Sequence, residues 1–197
     1  MASIGVAVIS DLTLVVQEET ELRVNSGVLM TTSVVFRTML GPKYLEGQAL
    51  SQHIDGTKSL PLPDDDPEGM KLLCAALHNR TDILPPTMPP ATFERFSQLA
   101  DKYACVDALR FAIQSYIGKF KYCEPDKFVH MINAAYLLND AEAFSSFTNR
   151  LAKDKIIQPT FYINLQGLSG DYRTFESKIS PRLTCLRADS RKSENSS

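Results

Sequence analysis

Asp11-Leu-Thr-Leu-Val-Val16 and Glu21-Leu-Arg-Val24 decide how this chain is read. In the first stretch Leu12, Leu14 and Val16 alternate with Asp11, Thr13 and Val15. A period of two in β-branched and apolar residues marks a half-buried strand. The second stretch alternates again, and the polar segment from Gln17 to Thr20 is short and charged, so the pair reads as a β-hairpin. Upstream, Ile4, Val6 and Val8 form a candidate extra edge strand.

Past Asn25 the period changes. Val28, Leu29, Phe36, Met39 and Leu40 space as two short helices with Ser33 as a cap between them, stopped by Gly41-Pro42. Residues 47 to 58 are polar and irregular and read as a loop. Leu60-Pro-Leu-Pro63 reads as a short strand, confined to a sheet edge because Pro61 has no amide donor. In Asp64-Asp-Asp-Pro-Glu68, three carboxylates in a row raise a metal site. No further ligands converge from nearby sequence, so the reading is a helix start: Asp66 caps, Pro67 takes the first position, and Glu68 favours the positive end of the dipole. Met70, Leu73, Cys74 and Leu77 then share a helical face. The prolines at 85, 86, 89 and 90 form a rigid connector that spaces two helices rather than a ligand for a proline-binding module. Helical stripes follow: Phe93, Phe96, Leu99 and Tyr103; Val106, Leu109, Ile113 and Tyr116; Phe128, Met131, Ala135 and Leu138 after Pro125; and Phe144, Phe147 and Leu151 with Asp140 as cap. Strands first and helices after give an α+β order rather than an alternating one.

The 197 residues, 44% hydrophobic and 22% charged, fit a globular chain with a core. A net charge of -2 gives no bulk attraction to phosphate backbones, and aromatics are not interleaved with basic residues, so direct nucleic-acid binding is not expected. The apolar N-terminus lacks a basic leader and meets Asp11 early, so export is not expected, nor is a membrane partner. Cys74, Cys105, Cys123 and Cys185 stand far apart, neither a disulfide framework nor a zinc ribbon, which suits reduced thiols in the cytosol or nucleus.

Signals of chemistry are lacking. There is no G-x-G-x-x-G, no Walker loop, no H-E-x-x-H and no G-x-S-x-G. His53, His78 and His130 stand apart; His78 closes a helix, where a cationic ring would suit the negative end of the dipole. The reading is therefore non-enzymatic, with no catalytic residue, cofactor or metal assigned. A rival reading, an enzyme using Cys or Asp chemistry, would require a pocket with convergent polar groups.

Asp11-Leu-Thr-Leu-Val-Val, Arg23-Val-Asn-Ser-x-Val-Leu29, Ser33-x-x-Phe-Arg-x-Met-Leu40, Leu99-Ala-Asp-Lys-Tyr103 and Leu109-Arg110, in that order, resemble the BTB/POZ domain. Leu60–Glu68 and Ala134-Ala-Tyr-Leu-Leu-Asn-Asp140 look like BTB proteins of filamentous fungi. The resemblance, which covers about residues 11 to 152, implies a small mixed sheet packed against a helical cluster, with additional C-terminal helices. It implies binding of protein partners: self-association, transcription-linked scaffolding, or docking on a cullin scaffold as a ubiquitin-ligase substrate adaptor. By the same resemblance Tyr44 and Glu46 fall where cullin-docking members carry a hydrophobic-x-Glu element. Dimeric members pair an acid at the position of Asp11 with a base near position 26; here that position is Ser26, and Asn25 replaces the usual His, so the charge pair of the familiar homodimer is incomplete. The expected organisation is an N-terminal segment at 1–10, a BTB/POZ-like domain at 11–120, a helical extension at 121–153, an ambiguous segment at 154–187 and a disordered tail at 188–197.

Overall fold

The computed structural model describes residues 2–42, 58–120, 124 and 127–153. The chain divides into two units, residues 1–121 and 122–197.

In the first unit β2 (Leu12–Val16) and β3 (Thr20–Val24) form the expected antiparallel hairpin, with Leu14 opposite Leu22 and Leu12 opposite Val24. Alternation points Leu12, Leu14, Val16, Leu22 and Val24 to one face, where all five are fully buried. β1 (Ala2–Gly5) joins β3 in parallel, and β4 (Lys58–Leu62) joins β2 in parallel, giving the mixed order β1-β3-β2-β4. One apolar row, Ile4-Leu22-Leu14-Leu60, therefore crosses the whole sheet. Pro61 pairs with Val15 from the outermost strand, where its missing amide costs no ladder bond, as its chemistry required. The extra strand differs from expectation: it ends at Gly5. The amides of Val6 and Ala7 both turn onto the Arg23 carbonyl, which carries Val8 away from the ladder.

The hairpin tip was not signalled by turn residues. Gln17 and Glu18 take left-handed φ of 50° and 59°, and Glu19 donates back to the Val16 carbonyl. This is the conformation that Asn-Gly pairs usually supply.

α1 (Ser26–Thr32) and α2 (Val34–Met39) are separated by Ser33, whose hydroxyl accepts from the Phe36 amide at 3.0 Å. α3 (Pro67–Leu77) starts as its sequence dictates: Asp66 accepts from the Gly69 amide at 2.6 Å and Pro67 occupies the first turn. Met70, Leu72, Leu73, Cys74 and Ala75 are all buried, so α3 runs through the core rather than along its surface. Gly69 sits where α3 meets α4 (Pro90–Lys102); a Cβ there would lie 3.0 Å from both Asp66 Oδ2 and Leu99 Cδ1. α5 (Arg110–Lys119) follows. The proline connector is anchored through its backbone while Pro86 and Pro89 stay exposed: the Pro85 carbonyl accepts from the Tyr116 hydroxyl and the Pro86 carbonyl from Lys119, both at 2.5 Å. Phe93 fills the space beneath, 5.2 Å from Phe120 and 6.1 Å from Tyr116 between ring centres.

In the second unit α6 (Phe128–Leu137) and α7 (Ala141–Lys153) pack on each other, with the Phe128 and Phe147 rings 6.1 Å apart. Asp140 caps α7 through the Ala143 amide. Pro125 lies outside the described residues.

Three helices end alike. α3, α4 and α6 are closed by Asn79, Ala104 and Asn139 at φ of 55°, 49° and 53°, each with paired backbone bonds back into the last turn. This is the Schellman arrangement, which glycine usually serves. Ala104 is the strained member, because a left-handed alanine costs about 1–2 kcal/mol. Ala104→Gly should therefore raise stability by up to about 1 kcal/mol after the extra chain entropy of glycine is subtracted. The measurement is the chemical-denaturation midpoint, and a lowered midpoint would contradict the strain argument.

Candidate protein-interaction surface

The segment leaving β1 is held at four points and presents two apolar side chains to water. Arg80, just past the end of α3, donates through one guanidinium nitrogen to the Gly5 and Val6 carbonyls at 3.2 and 2.7 Å. Its other two nitrogens make a bidentate pair with Asp82, at 2.8 and 2.7 Å. That pairing raises the Arg80 pKa and lowers that of Asp82. The Arg23 carbonyl takes the next two amides. Farther on, Asn25 donates its side-chain amide to the Ile9 carbonyl at 3.2 Å, and the Asp11 amide returns to the Val24 carbonyl. Between these ties Val8 and Ile9 stand 94% and 78% exposed. Val34, Phe111 and Tyr136 are also exposed, each on a different helix, as single surface hydrophobes commonly are.

Asn25 is the hub of this corner. It caps α1 by accepting from the Val28 amide at 3.1 Å, and its own amide donates to His78 Nε2 at 3.0 Å. His78 Nδ1 lies 2.8 Å from the Cys74 carbonyl. A carbonyl requires a donor and an amide requires an acceptor, so the proton belongs on Nδ1 and the ring is neutral. The cationic ring expected at this helix end is thus corrected: burial, aided by the Arg80 charge, pushes the His78 pKa below the ordinary histidine range, against the pull of the Cys74 carbonyl.

Asp11 is exposed rather than buried, and it has partners within its own chain. It accepts from the Ser26 amide at 2.7 Å and from the Ser26 hydroxyl at 2.5 Å. The cation acting on it is Lys58 from β4. Burial works against ionisation, but these bonds and the Lys58 charge hold the carboxyl below its usual range. An acid left without its familiar base near position 26 is therefore not an acid without partners.

The family model of the BTB/POZ domain matches residues 7–118. The chain belongs to the BTB/POZ family. No curated protein matches it. BTB/POZ domains are protein–protein interaction modules, typically non-enzymatic, and they often dimerise.

The three aspartates raised as a metal site separate in the BTB fold. Asp66 caps α3, Asp64 is exposed, and Asp65 is buried between Lys102 at 2.6 Å and the Tyr103 hydroxyl at 2.5 Å. Among the described residues no group of three His, Cys, Asp or Glu side chains could hold a metal ion, and no helix is long and apolar enough to cross a membrane. Cys74 and Cys105 are buried free thiols; burial pushes the Cys105 pKa up to about 12 and that of Cys74 still higher. Tyr44, Glu46, His53, Cys123 and Cys185 lie outside the described residues. Sequence reasoning missed the role of Arg80, the bonds of Asn25 to His78 and Ile9, the burial of Asp65 and the neutral state of His78.

Because the folded pKa of Asp11 is depressed, its contribution to stability is present above the ordinary aspartate pKa and is lost as pH falls through the lower folded value. Asp11→Asn keeps an acceptor for Ser26 but cannot titrate. Denaturation midpoints followed downward from about pH 6 should fall less steeply below about pH 4 in this variant than in wild type. Parallel curves would show that Asp11 makes no such contribution.

Proposed function

We propose that this BTB/POZ chain is a non-enzymatic interaction module that self-associates through the corner carrying Val8, Ile9 and Asp11. One observation carries the reading: two adjacent, almost fully exposed aliphatic side chains sit on a backbone tied down by Arg80, Arg23 and Asn25. Exposed apolar groups on a fixed frame suit a partner, because little conformational entropy is lost when they are covered. A second copy is the favoured partner. β1 is an edge strand next to this corner, whereas the opposite edge, β4, carries Pro61 and so offers a poorer template for added strands. The Asp11 carboxylate accepts two bonds from Ser26 in the field of Lys58, so the surface does not require a cation from its partner.

The test is sedimentation of wild type and Ile9→Asp. Loss of a central apolar contact should raise the dimer dissociation constant by about thirtyfold or more, equivalent to about 2 kcal/mol, while the melting temperature changes little because Ile9 is exposed. A wild-type chain that stays monomeric at about 100 µM, well above ordinary interface affinities, would remove this reading.

A second reading is a substrate adaptor on a cullin-type ubiquitin-ligase scaffold, placed through Tyr44 and Glu46. It is favoured by α6 and α7, a packed helical pair following the BTB/POZ domain in the position of the extension that many adaptors carry. On this reading residues 11–120 dock and 121–153 extend the docking unit, followed by the segment at 154–187 and the stretch at 188–197. A scaffold or transcription-linked regulator independent of ubiquitin is the alternative use of the same surfaces. We also infer kinship with the BTB proteins of filamentous fungi, on Leu60–Glu68 and Ala134–Asp140, and a setting in cytoplasm or nucleus, supported by the free thiols of Cys74 and Cys105. Pull-down of a purified cullin N-terminal region should succeed with wild type and weaken at least about tenfold with Tyr44→Ala, as expected for a docking aromatic. Absence of binding by wild type would leave the scaffold role.

A further inference from the structure

We propose that His78 is a pH-responsive pin that sets the presentation of the Val8–Ile9 corner. The pin rests on hydrogen-bond geometry; its effect on assembly rests in addition on the self-association reading above.

His78 Nε2 has a single job here, which is to accept the Asn25 amide at 3.0 Å while Nδ1 donates to the Cys74 carbonyl. That job can be done only by the neutral ring. A proton added at Nε2 places two donors face to face and leaves the part-buried Asn25 amide without its acceptor. Asn25 is also the residue that caps α1 and grips the Ile9 carbonyl, and its neighbour Ser26 holds Asp11. One ring therefore holds the amide of the residue that grips Ile9 and that adjoins the Ser26 anchor of Asp11. Protonation does not act on a distant element; it acts on the amide one residue from the Asp11 anchor and on the side chain that orients Ile9.

The charged groups around the ring favour this neutral state. On its own chain segment Arg80 is nearby and cationic, and Asp82, which could oppose it, is occupied by Arg80 in a bidentate pair. α3 packs against α1, whose residues Ser26–Thr32 include no ionisable side chain. It packs also against β3, where Glu21 and Arg23 alternate onto the face opposite the buried Leu22 and Val24, and against α4, whose charged residues are Glu94, Arg95, Asp101 and Lys102; of these Arg95 and Lys102 pair with Asp66 and Asp65 at the end of α3 away from His78. Asp11 faces Ser26 and Lys58. Because the folded pKa of His78 lies below its unfolded value, the pin's contribution is complete above the ordinary histidine pKa and is lost as pH falls through the folded pKa. The response thus falls below the ordinary histidine pKa, and acid is the releasing direction.

The test is an NMR titration of the full wild-type chain from about pH 8 to about pH 5, across the histidine range, with sedimentation at the same points. The His78 ring should show the Nδ1–H tautomer at neutral pH and titrate below the ordinary histidine value. The amide signals of Asn25, Ser26 and Ile9 should move with the same midpoint. Dimer dissociation should strengthen as the ring protonates, by about tenfold for each unit by which the His78 pKa differs between dimer and monomer. His78→Gln, which can still accept from Asn25 and donate to Cys74 but cannot titrate, should keep the neutral-pH state and lose the acid response. Amide signals that stay still while His78 titrates would overturn the pin, and the wild-type titration decides this whether or not the variant folds. An unchanged acid response in His78→Gln would overturn it too. Amides that titrate with His78 in a chain that is monomeric at every pH would support the pin while removing the self-association reading.

Discussion

A buried carboxylate ties this fold together. Asp65 is 2% exposed, and an ion taken out of water costs several kcal/mol unless its oxygens are satisfied. One oxygen accepts from Lys102 and the other from the Tyr103 hydroxyl. Tyr103 in turn stacks on Phe36 with ring centres 4.3 Å apart, and its carbonyl accepts from Ser33 at 2.5 Å. Ser33 is already the cap of α2. The turn into α3, the start of α2 and the end of α4 thus meet in one connected set of contacts. Burial pushes the Tyr103 phenol well above its usual range, with the Asp65 carboxylate adding to the effect, so the ring stays a donor at any physiological pH.

This clamp matters to the exposed corner because α3 connects them. Its eleven residues span about 16 Å, from Asp66 beside the clamp to His78 and Arg80 at the far end. Met70, Leu73 and Cys74 are fully buried along its length, so α3 cannot slide or turn without opening the core. The clamp therefore fixes the places from which His78 reaches Asn25 and Arg80 reaches β1. Precision at the surface is inherited from a polar contact at the opposite end of a helix.

Local chemistry explains which parts of this were legible in the sequence. The hairpin, the Ser33 cap, the edge position of Pro61 and the Asp66-Pro67 helix start each depend on neighbours a few residues away, and periodicity reads such relations directly. Asn25 and His78 are 53 positions apart, and Arg80 and Val6 are 74 apart. No spacing rule reaches that far, so an arginine in a loop and a histidine at a helix end look ordinary until the fold joins them. The helix ends were obscure for a different reason. Asn79, Ala104 and Asn139 do the work expected of glycine, and Ala104 in particular breaks the local rule because its two paired bonds and the packing around Tyr103 and Cys105 outweigh the strain. For β1, the alternation of Ile4, Val6 and Val8 is real, but the Arg23 carbonyl captures two successive amides and ends the ladder before the pattern does.

The corner's electrostatics narrow the way it can bind. Exchange of a buried charge pair between subunits requires each acid to meet a base from its partner, but here Ser26 already holds Asp11 by two hydrogen bonds, with the Lys58 charge nearby. Breaking those contacts to recruit a partner's cation would exchange one satisfied state for another, with the desolvation of both ions as the net cost. Association through this surface must then draw its free energy from covering Val8 and Ile9, each worth roughly 1.5–3 kcal/mol when fully buried. On the proposed reading, four such side chains across a two-fold interface, on backbones already held in place, would supply a useful driving force without any interfacial ion pair. On the proposed reading, replacing the familiar base by Ser26 moves the source of affinity from charge to apolar burial, and places His78, bonded to Asn25 behind this corner, where a change in its charge would reach the surface.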